Sequence, residues 1–335
     1  MRDRTILSRR SFLGTGAAFA LAGCNSTDAT GSLASLTPPE KREPSVIAVT
    51  TRKPIDGAAE EPWFGAGRSG ATRAVRVVFE PLGTSLIGRV AASVTGRWRI
   101  NRVEALGKND PIAALVGQTA NTDVLVYVHG YNTSFESSVI GVAEIAEGIG
   151  FQGTPVAFSW PSRADLLDYG YDRESALWSR DAMQDMLEAL AKSPSGGKVH
   201  IIAHSMGTLL TLETLRQFWL ASGTPDVAAR IGAIVFAAPD IDIDLFAASL
   251  PRIGPLARHL TVFTSTGDRA LAVSRRLAGG VTRVGSAERD RLEQLGVRVV
   301  DASGYGWGLI GHDVFISNSD VRAALKRAVE RGAQA

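Results

Sequence analysis

The chain has 335 residues, 45% hydrophobic and 21% charged, enough to bury a sizeable core in one large domain or two small ones. Its net charge of +2 arises in the first 23 residues, where Arg2, Arg4, Arg9 and Arg10 face Asp3 alone, so the remainder carries −1. No basic run with interleaved aromatics appears, which argues against a nucleic-acid partner, and the single cysteine, Cys24, excludes an intramolecular disulfide and a cysteine-based metal site.

Residues 1–24 read as a targeting segment. Ser8-Arg9-Arg10-Ser11-Phe12-Leu13 resembles a twin-arginine export signature, and the apolar stretch from Phe12 to Ala22 is too short to span a bilayer as a mature helix. Leu21-Ala22-Gly23-Cys24 resembles a bacterial lipobox, in which the cysteine is lipidated and becomes the mature N-terminus. The expected outcome is export to the cell envelope, with the protein held on a membrane through Cys24. Residues 25–45, rich in Ser, Thr, Pro, Ala and Gly, read as a flexible tether.

From residue 46 to 335 the pattern predicts one α/β domain. Residues 46–50 and 74–79 are β-branched strand candidates, with the polar, glycine-rich 53–73 read as the loop between them. A strand over 97–106 and a short helix over 111–116 follow. Residues 123–128 form a continuous apolar strand, and Thr133 with Glu136 reads as a capping box for a helix ending at Ile149 and closed by Gly150. Next come a strand at 155–160, a helix over 173–192, a turn at 193–197 and the strand that ends at His204. Residues 208–220 read as a helix, 231–237, 259–264 and 297–300 as strands, and 319–330 as a terminal helix. Strands that alternate with helices and are apolar throughout indicate a mainly parallel central sheet with helices on both faces.

The sharpest local signal is Ala203-His204-Ser205-Met206-Gly207, where an apolar strand stops and a helix begins at once. A turn this tight needs small residues two before and two after its apex. The pattern is G-x-S-x-G with alanine for the first glycine, and it lifts a serine hydroxyl clear of the sheet. An activated serine needs a base, and the base an orienting acid. Of five histidines, His200 and His259 lie in or beside strands, His204 adjoins the serine and points elsewhere, and His129 sits in a His-Gly loop. His312, in a glycine-rich loop after the last strand, is the candidate base.

Asp268, on the Ser265-Thr266-Gly267-Asp268 turn, is the candidate acid. The alternatives, Asp240 and Asp242, follow the preceding strand and are suited to capping the next helix. The order Ser205, Asp268, His312 is the one expected of the α/β-hydrolase fold. The oxyanion would be held by the backbone N–H of Met206 and, from the loop after strand 123–128, by that of Tyr131.

These segments resemble the α/β-hydrolase superfamily, and more narrowly a family of bacterial envelope esterase/lipase-like proteins of unknown function. The resemblance rests on Thr50-Thr51-Arg52, Val-His-Gly-Tyr-Asn at 128–132, Phe-Ser-Trp-Pro-Ser at 158–162, Tyr-Asp-Arg-Glu-Ser-Ala at 171–176, Ala-His-Ser-Met-Gly at 203–207 and Gly-His-Asp at 311–313. It implies a Ser205-Asp268-His312 hydrolase and leaves the substrate open. The leading expectation is a carboxylic-ester hydrolase working through an acyl-enzyme on a small-molecule or lipid ester, with no metal or organic cofactor. An amidase, peptidase or thioesterase on the same scaffold is the alternative, as is a non-catalytic envelope binding protein. Trp160, Arg163, Asp172 and Arg173 fall where substrate contacts or a structural ion pair of Asp172 with an arginine would lie.

Overall fold

Apolar strands gather into one sheet that helices cover over its parallel part. In the computed structural model, residues 43–81, 98–163, 165, 168–265, 271, 274, 280–303 and 318–334 are described, so Cys24, Asp268 and His312 lie outside the described residues.

Strands β1 (Ser45–Pro54), β2 (Phe64–Pro81) and β3 (Trp98–Leu106) pair antiparallel in sequence. Helix α1 (Pro111–Gln118) leads to the parallel part of the sheet. That part is built from β4 (Val124–Val128), β5 (Thr154–Ser159), β6 (Val199–His204), β7 (Ile231–Ala237), β8 (Leu260–Thr264) and β9 (Arg298–Asp301). The order across the sheet is β3-β2-β1-β5-β4-β6-β7-β8-β9, and β1 joins β5 in parallel. The expectation of a mainly parallel sheet inside an α/β-hydrolase fold holds.

The chain leaves β4 for β5 on one side and then returns past β4 to β6 on the other. Connections therefore diverge between β4 and β6, and the carboxyl ends at such a switch point are the usual ligand position in these sheets.

Alternate residues of each strand face opposite layers. Val126, Val128, Ile201, Ala203 and Phe236 pack with helices α4 (Arg180–Lys192) and α5 (Met206–Ser222). Leu125, Ile202, Val235 and Phe263 pack with the end of α2 (Phe135–Ile149) and the terminal helix α9 (Ser319–Gln334). Helix α4 illustrates the cause: its buried Met183, Met186, Leu187, Leu190 and Ala191 recur at helical spacing on one stripe. The remaining helices among the described residues are α3 (Tyr169–Trp178), α6 (Pro225–Arg230), α7 (Ile243–Ser249) and α8 (Arg289–Glu293), with 3₁₀ segments at Leu250–His259 and Val284–Ser286.

Three local expectations need correction. The glycine-rich stretch read as a loop over 53–73 is strand from Phe64 onward, because it pairs with β1 as far as Pro54, with register shifts around Arg52 that bend the ribbon. The helix expected over 173–192 is two helices parted at Ser179, whose hydroxyl donates to the Ser175 carbonyl at 2.8 Å and meets the Thr51 hydroxyl at 2.9 Å. The cap of α2 is Ser134, which accepts from the Ser137 N–H, whereas the Thr133 hydroxyl donates back to the Tyr131 carbonyl. Gly150 closes α2 in the left-handed conformation as expected.

Candidate active site

Ser205 stands at the apex between β6 and α5 with φ 49° and ψ −121°, a conformation costly for a residue with a side chain. Its backbone is fixed from several directions. Its N–H donates to the Ala237 carbonyl at 2.9 Å, and its carbonyl accepts from the Thr208 N–H and hydroxyl and from the Asp240 N–H. The half-buried side chain makes no capping bond to the helix it precedes. Met206 is the first residue of α5, so its N–H has no acceptor within the helix and points out of the positive helix end.

The loop after β4 lies against this apex. A Cβ added at Gly130 would sit 3.0 Å from the Ser205 Cβ and 2.9 Å from His204 Nδ1, so only glycine lets the two backbones approach this closely. Across the turn, a Cβ at Gly207 would press into the His129 carbonyl and lie 2.6 Å from that of Val128. The small residues read at 130 and 207 therefore have a steric cause. In the same loop the Asn132 N–H donates to Asp172 Oδ2 at 3.3 Å and the Thr133 N–H to Ser162 Oγ at 3.0 Å. Among the described residues no acceptor lies within hydrogen-bond reach of the Tyr131 N–H.

His129 is excluded as a base. Its ring is fully buried, stacked on Trp160 with centroids 4.6 Å apart, and faces the Gly130 carbonyl at 2.8 Å and the Trp160 carbonyl at 3.1 Å. Burial, followed by the Arg52 guanidinium, pushes its pKa well below the usual histidine range. The buried His200 and His259 are also depressed, His259 to about 4, burial being the first cause for each.

A consequence for stability follows with a definite sign. Below about pH 6.5 the unfolded chain takes up protons that these folded histidines refuse, so stability present at neutral pH is lost as pH falls. The expected slope between pH 6.5 and 5 approaches about 1.4 kcal/mol per pH unit for His129 alone. The other two steepen it, and Asp172, whose carboxyl burial pushes up, offsets part of it. Urea midpoints measured from pH 7.5 to 5 check this, and a flat profile would contradict it.

The two rival acids are committed elsewhere. Asp242 caps α7, accepting from the N–H groups of Asp244 and Leu245 at 2.9 Å each. Asp240 does not cap. It is buried, accepts from the hydroxyls of Tyr169 (2.9 Å) and Ser274, and lies 3.1 Å from Nε of the buried Arg283. The ring of Tyr131 packs edge-on against Tyr169 with centroids 5.5 Å apart.

Gly130 thus lies against Ser205 at the carboxyl ends of β4 and β6, with Tyr131 following it in the loop and Met206 following Ser205 in the helix. Sequence reasoning gave Arg52 no role beyond a strand end and read Asp172 as a substrate contact or the partner of an arginine; the structure makes both of them holders of loop backbone. Arg52 is 1% exposed at the end of β1. It donates from Nε to Ser159 Oγ (2.9 Å), from Nη1 to the Ser162 carbonyl (3.0 Å) and from Nη2 to the Thr133 carbonyl (2.6 Å). Burial lowers its pKa to about 10, so it remains a cation at neutral pH. Asp172 accepts from Ser162 Oγ at 2.5 Å and from the Arg163 N–H at 2.8 Å as well as from Asn132. The sequence signals were an arginine ending an otherwise apolar strand and Asp172 in the Tyr-Asp-Arg-Glu-Ser-Ala segment at 171–176. Arg163 itself pairs with Asp168 and covers the Tyr171 ring. Among the described residues no cluster of three or more His, Cys, Asp or Glu side chains is placed to hold a metal.

A covered, mostly parallel sheet with a strained serine between strand and helix defines an α/β hydrolase. The chain belongs to the family described as alpha/beta hydrolase of unknown function (DUF900), whose model matches residues 107–329. A protein of Nostoc sp. (strain PCC 7120), "Uncharacterized protein alr1448", is 37% identical over 62 residues, a match spanning 18% of this chain and 16% of that protein. Two similar solved structures are a predicted CIB-like hydrolase from Thermoplasma acidophilum and Thermogutta terrifontis esterase 2 phosphoramylated by tabun. The first is 16% identical with TM-score 0.36, covering 76% of this chain and 99% of that one. The second is 11% identical with TM-score 0.40, covering 89% and 98%.

Proposed function

We propose that this hydrolase is a serine esterase that cleaves a carboxylic ester through an acyl-enzyme. Ser205 Oγ attacks the ester carbonyl and passes its proton to the His312 imidazole, oriented by Asp268. The carbonyl oxygen takes up the negative charge between the N–H groups of Met206 and Tyr131. Collapse of the tetrahedral species breaks the C–O bond, and the leaving alcohol takes the proton from His312. Water then repeats the sequence and frees the acid. The observation that carries this reading is Ser205 at φ 49° on the β6–α5 turn, with a hydroxyl that caps nothing and a helix N-terminus behind it. The close approach of Gly130 supports it, and so does the commitment of Asp240 and Asp242 to other partners.

The reading includes export of the chain and anchoring on the envelope membrane by lipid on Cys24, with residues 25–45 as the tether. Among the described residues no helix is long and apolar enough to cross a membrane. One experiment tests both parts. Cells producing wild type, Ser205→Ala or Cys24→Ser are treated with a fluorophosphonate probe and separated into membrane and soluble fractions. Wild type should label in the membrane fraction. Labelling should vanish in Ser205→Ala while the folded protein persists, and move to the soluble fraction in Cys24→Ser. A folded wild type that never labels sinks the esterase reading, and a labelled wild type found wholly in the soluble fraction sinks the anchor. A panel of acyl esters, thioesters and amides then sorts the reaction, with turnover of esters expected to exceed that of matched amides.

A further inference from the structure

Two segments meet beside Ser205, residues 129–133 after β4 and residues 160–163 after β5, and they are joined through one buried cation and one buried carboxylate. Arg52 ties the Thr133 carbonyl to the Ser162 carbonyl and to Ser159 Oγ. Asp172 ties the Asn132 N–H to the Arg163 N–H and the Ser162 hydroxyl, and that hydroxyl in turn receives the Thr133 N–H. On the near side the loop is anchored by the His129 ring, held between Trp160 and Arg52 Nη2 at 3.4 Å. Gly130 and Tyr131 lie between these fixed points, Gly130 against Ser205 and Tyr131 next to it in the chain, its hydroxyl donating to the Asp165 carbonyl at 2.9 Å.

The loop does not take this shape unaided. Asn132 has φ 57°, left-handed backbone that asparagine tolerates better than most residues but that is still held best where its surroundings fix it. Nor is the clamp an inexpensive way to fill space. It keeps a guanidinium and a carboxylate out of water, and a packed apolar cluster would do that job at lower cost. What ions supply in addition is direction: each fixed N–H or carbonyl sets the plane of the next peptide, and an oxyanion donor acts only if aimed at the developing charge before reaction.

We propose that Arg52, Asp172 and Ser162 are positioning residues that aim the Tyr131 N–H at the oxyanion formed on Ser205. This rests on the esterase reading above and deepens it. The test uses the full-length protein, with Ser162→Ala as the mild variant and Asp172→Asn as the severe one. Three quantities are measured: kcat and KM on p-nitrophenyl butyrate, the inhibition constant of an aryl trifluoromethyl ketone, whose tetrahedral adduct carries the oxyanion, and the thermal midpoint. Removing an oxyanion donor outright costs about 10²- to 10³-fold in kcat, so a misaimed one should cost about 10- to 10²-fold. The expected result is that loss in kcat with KM within about twofold, and the ketone weakened by the same factor as kcat falls. A merely structural role would lower the thermal midpoint and leave that proportion unmet.

Folded Ser162→Ala with unchanged kcat and ketone affinity overturns the proposal while leaving the esterase reading intact. A folded wild type that neither labels nor turns over esters overturns both. Should Asp172→Asn fail to fold, Ser162→Ala decides alone, since it removes one hydroxyl and no charge.

Discussion

Asp268→Asn is expected to lower kcat on an ester substrate by about 10⁴ with little change in stability, and Asp240→Asn to do the reverse. A neutral amide at the orienting position leaves the imidazole in the wrong tautomer and withdraws the charge that stabilises the imidazolium, so the loss falls on rate. Asp240 holds a different post. Its carboxylate is buried beside the guanidinium of Arg283, itself 2% exposed, and collects the Tyr169 and Ser274 hydroxyls. Among the described residues Arg283 Nη2 has no hydrogen-bond partner, so removing the charge opposite leaves a buried cation with less compensation. Breaking such a pair costs about 3 to 5 kcal/mol, and an isosteric amide that keeps part of the hydrogen bonding should fall near the lower end. Steady-state kinetics on one ester and urea unfolding of both variants check the pair of outcomes. The reverse ranking, a folded Asp240→Asn with a 10⁴-fold loss beside an active Asp268→Asn, would move the acid to residue 240.

What could be read from the sequence divides by the range of the forces involved. The strand-turn-helix around Ser205 is a local demand, and Ala203, Gly207 and the abrupt end of an apolar run state it within five residues. The parallel strands were equally legible, since burial on both faces writes itself as continuous Val, Ile, Leu and Phe. The first half of β2 was not. Phe64 to Arg73 carries four glycines or serines in a polar context, and what makes it strand is pairing with β1, which no local propensity records. The break at Ser179 escaped notice for the same reason, because its hydroxyl answers Thr51, which is 128 residues away. Thr133 and Ser134 are nearly equivalent caps by type. Arg52 and Ser162 decide between them by drawing both polar backbone groups of Thr133 into the clamp. Arg52 and Asp172 were visible as residues, yet their shared function depends on loops that meet only after the sheet has assembled.

Gly207→Ala is expected to cost both stability and reactivity, because the added methyl meets rigid backbone beside Ser205. The glycine lies on the first turn of α5, where that helix passes directly under the carboxyl end of β4. Its added Cβ would meet the carbonyl oxygens of both Val128 and His129, and these are backbone atoms that no rotamer change can move aside. Relief requires shifting either the helix or the strand end. The helix start is fixed by the bonds of Ser205 to Ala237 and Asp240, and the strand end by the His129 ring stacked on Trp160. Overpacking a core typically costs about 1 to 3 kcal/mol, and two rigid contacts at such distance place this substitution at about 3 kcal/mol or more. The catalytic consequence should exceed the stability loss, because the same displacement separates the Met206 N–H from the Gly130-Tyr131 segment across the nucleophile. Fluorophosphonate labelling at a temperature where urea unfolding shows the variant folded should therefore be slowed by at least about 10²-fold, the scale of one lost oxyanion donor. Gly223→Ala provides the control. It too would crowd a backbone carbonyl, that of Trp219, but at the far end of the same helix, so it should cost stability while leaving the labelling rate of the folded protein unchanged. Equal labelling rates for the two folded variants would remove the link drawn here between the β4–α5 contact and the reactivity of Ser205.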